Sequence, residues 1–332
     1  MIAMKEIYRK WYEQVIKELE VVNGIRWRKL GKTPRAILIS GMGGSGIVGD
    51  YVQTLASKRV EVPIFVVKDY KIPMWVSSDD LTIVISYSGN TRETIRCYRE
   101  ALKARAQVVV ITSNGLLKEY AKKDNIPLIP VIQGLVPRAS LPSMLIACLY
   151  VLEKFGLPVV SRDEIHESIH VLKEIHENEL LSIADKIIGK IPVIITVTDY
   201  SPLAWRFKNE LNENSKMPAK VEIIPEWAHN DIVGWEAPYS IEKYIVLMLK
   251  PRISTDELSL QMLNYAKKYF EKQGLNVIGI EIAGKSLLAQ LLYGSLIAGL
   301  ISVIVAEKRG ISPITTESIN EYKNYIVKYF TI

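Results

Sequence analysis

Residues 81–94 read LTIVISYSGNTRET. An apolar, β-rich run, Leu81–Ser86, breaks at a turn holding Gly89 and gives way to a charged stretch from Arg92. This strand–loop–helix unit recurs along the chain. RAILIS (35–40), VPIFVV (62–67), QVVVIT (107–112) and IPLIPV (126–131) are further strand-like runs, with helical segments at 45–56, 91–105 and 115–122 between them. An amphipathic helix over 3–21 precedes them, and a helix at about 140–155 closes the half. Runs that are apolar throughout and alternate with helices predict a parallel sheet covered on both faces.

The segment FGLPVVSRDE (155–164), with Gly, Pro and a Ser helix cap, reads as a boundary. After a polar helix (162–179) the alternation restarts: strands PVIITVT (192–198), KVEIIP (220–225), KYIVLMLK (243–250) and NVIGIEI (276–282), helices at 202–213, 255–273 and 285–306. The expected architecture is two doubly wound, flavodoxin-like, three-layer α/β domains, residues 1–155 and 156–332, packed together.

With 332 residues, 48% hydrophobic and 23% charged, the chain has ample apolar material for two cores, which excludes disordered and fibrous classes. Its 42 basic and 36 acidic residues give a net charge of +6, but they are interspersed, so a solvated surface is favoured over nucleic-acid binding. Two cysteines, Cys97 and Cys148, exclude a disulfide scaffold and a cysteine zinc site; in helical stretches they read as buried thiols. The charged N-terminal stretch MIAMKEIYRKWYEQVIKELEVV has no secretory h-region, so a cytoplasmic setting is expected. Abundant Lys, Glu, Ile and Tyr with few Gln point to a heat-adapted source. Residues 286–306 are long and apolar enough to span a bilayer, but Gln290, Tyr293 and three serines interrupt the run. A helix buried in a large α/β protein is the expected reading, with no membrane partner.

In doubly wound sheets ligands bind beyond the carboxyl ends of the strands. The first such loop is Gly41-Met-Gly43-Gly44-Ser45-Gly46. It matches G-x-G-x-x-G, and Asp69 lies downstream where a ribose-binding acid would, so a dinucleotide site is one reading. The other is a loop whose bare backbone at Gly44 and hydroxyl of Ser45 face a sugar phosphate. The pattern alone leaves both open. The second loop carries Ser86, Ser88 and Thr91 where a helix begins. Helix N-termini offer unpaired N–H donors and a positive field, and hydroxyls add further donors for phosphate oxygens. A helix cap needs one such residue; three favour a phosphate monoester.

These loops, GMGGSG and SYSGNTRET, resemble the sugar isomerase (SIS) domain. Nearly the whole chain is similar to the phosphoglucose isomerase superfamily, and most of all to its short archaeal bifunctional phosphoglucose/phosphomannose isomerases. The resemblance implies aldose–ketose isomerisation of glucose, mannose and fructose 6-phosphates in a homodimer with shared active sites, using no cofactor or metal. Alternatives are a non-catalytic phosphosugar sensor and an NAD-dependent dehydrogenase using GMGGSG. No helix-turn-helix pattern accompanies the loops, which disfavours the sensor.

Further residues then acquire roles. Glu213 falls in the last turn of a helix that starts at Ser201-Pro202, where the dipole disfavours an anion and suits a general base. Glu210, one turn earlier, is its rival; the family's sequence context of the base maps onto Glu213. His229, in EWAHND (226–231), is the one histidine of four outside the polar helix, and the resemblance gives it ring opening from the neighbouring subunit. Arg138, in VPRAS (136–140), would offset enediolate charge. Thr316, or its neighbour Thr315, would make room for both C2 epimers, and Lys323 would assist ring opening. With one isolated histidine outside the polar helix, no zinc site is expected.

Overall fold

The computed structural model describes residues 4–26, 31–252 and 256–330; Ala3 and Thr255, the first residues of two expected helices, lie outside them. In chain order the elements are α1 (Met4–Arg9), α2 (Trp11–Asn23), β1 (Ile37–Ser40), α3 (Gly43–Ala56), β2 (Ile64–Val67), β3 (Leu81–Ile85), α4 (Arg92–Lys103), β4 (Gln107–Thr112), α5 (Leu116–Lys123), β5 (Leu128–Pro130) and α6 (Leu141–Lys154). There follow α7 (Arg162–Val171), α8 (Glu177–Ile187), β6 (Ile191–Val197), α9 (Ser201–Ser215), β7 (Lys220–Ile224), β8 (Tyr244–Pro251), α10 (Glu257–Lys272), β9 (Val277–Ile282), α11 (Leu287–Lys308) and α12 (Glu317–Ile326).

They form two compact units. The first comprises Lys10–Arg162 and Thr316–Ile332; the second comprises Asp163–Thr315 and Met1–Arg9. The division therefore differs from the expected blocks 1–155 and 156–332. The boundary falls after Arg162, and the two terminal segments are exchanged. The physical reason is visible at α1. Tyr8 is fully buried against Gly299 of α11, where any side chain would overlap its ring.

The first unit holds a parallel sheet of order β2-β1-β3-β4-β5, the flavodoxin-like order. β1 and β3, at its centre, are buried at every residue, which is why their sequences are apolar throughout. Ser40 pairs with Val84, so the loops after β1 and β3 leave the sheet side by side. Cys97 and Cys148 are buried free thiols, and burial pushes the Cys97 thiol up to about 11.

The second unit has a parallel sheet of order β7-β6-β8-β9. α11 is long and apolar enough to cross a membrane, yet it is buried from Leu288 to Ala306, packed against α8, α9 and α1. Gly294 lets Leu203 of α9 approach it closely. The polar helix expected over 162–179 is two helices, α7 and α8. Glu177 and Glu179 lie in the first turn of α8, where the dipole favours acids. His166 and His170 lie on α7, while His176 precedes α8; all three are exposed.

Candidate active site

In the first unit the chain leaves β1 for β2 on one side and later places β3 on the other, so the crevice beyond β1 and β3 is the topological switch point. Both hydroxyl loops open onto it. Gly44 stands where the start of α3 meets the 3-10 turn Pro137–Ser140: a Cβ there would lie 3.0 Å from the Pro137 carbonyl and the Arg138 nitrogen. Ser45, in the first turn of α3, is buried, and its hydroxyl accepts from the Tyr87 N–H at 3.1 Å, joining the first loop to the second.

The second loop is held from both ends. Gly89 has a φ of 69° and lies against the Asn114 carbonyl, which leaves no space for a side chain. Asn90 Oδ1 accepts from the Leu116 N–H at 3.1 Å. The Ser86 hydroxyl donates to Thr91 Oγ1 at 3.2 Å, and Ser88 Oγ accepts from the Asn90 N–H at 3.3 Å. Thr91 occupies the cap position of α4, yet its side chain makes no cap bond. The helix-cap reading of that hydroxyl is thus not what the structure uses it for. Ser86 is buried, Thr91 half-buried and Ser88 exposed, a graded set of hydroxyls over two helix N-termini.

Arg138 is 4% exposed, in the turn that packs on Gly44. The first unit therefore brings together Gly44, Ser45, Ser86, Ser88, Thr91 and Arg138. Thr316 and Lys323 belong to the same unit by contact. Thr316 is the half-buried cap residue of α12 and makes no side-chain cap bond; Lys323, in the last turn, is exposed. Neither side chain has a hydrogen bond or ion pair among the described residues. Asp69, the acid of the dinucleotide reading, is exposed two residues beyond β2, and its carboxylate accepts from the Tyr70 N–H at 2.5 Å.

In the second unit the two glutamates of α9 separate clearly. Glu210 is 1% exposed, accepts from the Tyr8 hydroxyl at 2.5 Å and the Asn214 amide at 2.7 Å, and is ion-paired with buried Arg206. Burial, reinforced by that carboxylate, pushes the Tyr8 phenol well above its usual range. Glu210 is a buried structural anion. Glu213 is half-buried in the last turn. The helix end beside it is not bare: Lys216 donates to the carbonyls of Glu213 at 2.7 Å and Ser312 at 2.9 Å, and Arg309 donates to that of Ser215. These cations offset the negative end of the dipole on which the sequence-based expectation relied.

His229 ends a 3-10 turn, Glu226–His229, directly after β7, and is exposed. The loop is fastened around it. Buried Trp227 packs on Phe270, Trp235 Nε1 donates to Glu222 at 2.9 Å, Lys220 pairs with Asp231 at 3.3 Å, and Tyr269 donates to the Ile232 carbonyl at 3.1 Å. Because α9 runs back from the carboxyl edge of the sheet to the start of β7, Glu213 and His229 lie at opposite edges of this unit. The separation is about 20 Å by helix length. The structure does not bring them together within one unit.

The sequence reading passed over Tyr87. Its hydroxyl donates to the Ile132 carbonyl at 2.9 Å and accepts from the Leu135 N–H at 2.8 Å, tying the phosphate-type loop to the segment that leads to Arg138. Its place in SYSGNT was the available signal. Among the described residues no group of three His, Cys, Asp or Glu is placed to hold a metal.

Two doubly wound sheets, with hydroxyl-bearing helix N-termini at the switch point of the first, define a protein of two SIS domains. Residues 32–132 match the SIS domain model, and residues 176–326 match the bacterial phospho-glucose isomerase C-terminal SIS domain. The chain belongs to the bifunctional phosphoglucose/phosphomannose isomerase family: it is 36% identical over 325 residues to the Aquifex aeolicus enzyme of that name, covering 96% of this chain and 99% of the relative. It is also 31% identical to D-glucosamine-6-phosphate 4-epimerase of Sulfolobus acidocaldarius, over 93% of each chain. Among solved structures, the C-terminal domain of glucosamine-fructose-6-phosphate aminotransferase from Francisella tularensis shares the fold. The TM-score is 0.72 at 17% identity, covering 92% of this chain and 97% of that one.

Proposed function

We propose that this protein interconverts glucose 6-phosphate and mannose 6-phosphate with fructose 6-phosphate. The carrying observation is the hydroxyl cradle at the switch point, with the Thr91 hydroxyl left out of helix capping, in a chain similar over almost its whole length to isomerases of that specificity. The substrate phosphate binds Ser45, Ser86, Ser88, Thr91 and the backbone at Gly44. His229, with Lys323, assists ring opening. Glu213 takes the C2 proton: the C2–H bond breaks, C1=C2 forms, and the C1 carbonyl becomes an enediolate oxygen whose charge Arg138 offsets. A proton then passes from O2 to O1, the C2 carbonyl forms, and Glu213 returns its proton to C1. Thr316 leaves room for either epimer at C2.

The separation of Glu213 from His229 within one unit supports a homodimer in which the histidine serves the neighbouring copy's site. The reaction is assigned to the cytoplasm and needs no metal. A coupled assay of the purified protein on both aldose phosphates, with and without EDTA, tests this reading. Comparable turnover of both, unaffected by EDTA, is expected; a wild type inert toward both overturns it. The Sulfolobus relative motivates a second reading, 4-epimerisation of glucosamine 6-phosphate, which product analysis on that substrate distinguishes.

A further inference from the structure

The segment joining β5 to the Arg138 turn takes few of its hydrogen bonds from the sheet. Side chains hold it at four backbone atoms. Trp11 Nε1 and Gln14 Nε2 both donate to the Ala139 carbonyl, at 2.9 and 3.0 Å, and Glu18 accepts from the Ile132 N–H at 3.3 Å. Tyr87 supplies the other two bonds, to the Ile132 carbonyl and the Leu135 N–H. Trp11, Gln14 and Glu18 are spaced three and four residues apart, which puts them on one face of α2. All three are buried, at 0%, 6% and 0% exposure.

A helix face that merely covers a core is apolar, because burying amide and carboxyl groups is costly. Here three of the five buried positions of α2, beside Val15 and Val22, are polar or carry a polar handle. All reach backbone on either side of Arg138, and Gln14 Oε1 has no partner among the described residues. A network of this kind fixes orientation more than it adds stability. Its other anchor, Tyr87, lies inside the hydroxyl loop, so one set of bonds sets the Arg138 turn and the cradle relative to each other.

We infer that the α2 face Trp11–Gln14–Glu18, together with Tyr87, positions Arg138 over the phosphate cradle; these are positioning residues, and the inference rests on the role proposed for Arg138. The test is a double-mutant cycle. Trp11→Phe/Gln14→Leu removes both donors to Ala139 while keeping apolar bulk. It is expected to lower kcat on glucose 6-phosphate about tenfold or more, with the inhibition constant for inorganic phosphate held within about twofold. In an Arg138→Ala background the same pair of changes should cost nothing further, because the group they position is gone. A loss carried over in full to that background, or phosphate inhibition weakening in parallel with kcat, overturns the inference. Should the double variant not fold, Gln14→Leu alone, with Trp11 still donating, is expected to lose about threefold in kcat; unchanged kcat overturns the inference. A wild type inert toward both sugar phosphates is recognised before any variant is made, and overturns the isomerase reading and the positioning role with it.

Discussion

Glu210 and Glu213 are one helical turn apart, and the structure gives them opposite situations. Glu213→Gln should keep phosphate inhibition and lower kcat by about two to four orders of magnitude, since only proton transfer is removed. Glu210→Gln should instead leave Arg206 buried beside a neutral amide, costing about 3–5 kcal/mol in urea unfolding. A stable but inactive Glu210→Gln beside an active Glu213→Gln would reverse the assignment. Glu18 supplies a pH prediction. Burial raises its carboxyl from the usual 4.5 to about 7, against the Ile132 N–H and the Ser143 hydroxyl, which lower it. Between those values the folded state binds a proton that the unfolded chain has released. Stability is therefore full below pH 4.5 and falls as the pH rises to 7, by about 3 kcal/mol from this group. Glu18→Gln should flatten that decline in unfolding curves recorded across the range; an unchanged slope would place the titration elsewhere. A helix start and stop place Glu213 in the last turn in the sequence, while the preference for it over Glu210 comes from the family resemblance. The burial of Glu210 is not legible there: Arg206 stands one turn earlier on the same helix, but Tyr8 reaches the carboxylate only through the packing of α1.

The elements were largely legible. Near-continuous apolar runs identify β1, β3, β4, β6 and β8 because burial on both faces leaves no room for polar alternation. Two single helices expected from sequence are each two: the helix over 3–21 divides at Lys10 into α1 and α2, and the polar helix over 162–179 divides into α7 and α8, because charge patterning is continuous across the break. Helix ends make a sharper comparison. Asp256 caps α10, accepting from the Ser259 N–H at 3.0 Å, whereas Thr91 at the cap position of α4 makes no such bond. Asp256→Ala should therefore lower stability by about 1 kcal/mol. Thr91→Ala should leave stability within about 0.5 kcal/mol and raise KM for glucose 6-phosphate several-fold. Equal stability losses with unchanged KM would make Thr91 an ordinary cap after all.

At the scale of the molecule, Glu213 and His229 stand at opposite edges of one sheet, so the proposed site would draw the two from different copies. Mixing Glu213→Gln and His229→Ala proteins under subunit exchange should restore activity that neither has alone, because one site in each mixed dimer is intact. No recovery, or full activity from a monomer in light scattering, would dispose of the shared site. The two-domain plan was readable from the restart of strand–helix alternation after residue 190; the exchange of ends was not, because no local pattern marks where a terminal helix packs. That exchange bears on how the protein is made. Tyr8 leaves the ribosome well before Gly299, whose missing side chain it covers. The N-terminal half of the nascent chain can close its sheet early. α1 must stay undocked until α11 has been made, so the second unit cannot complete its packing before synthesis has passed Gly299.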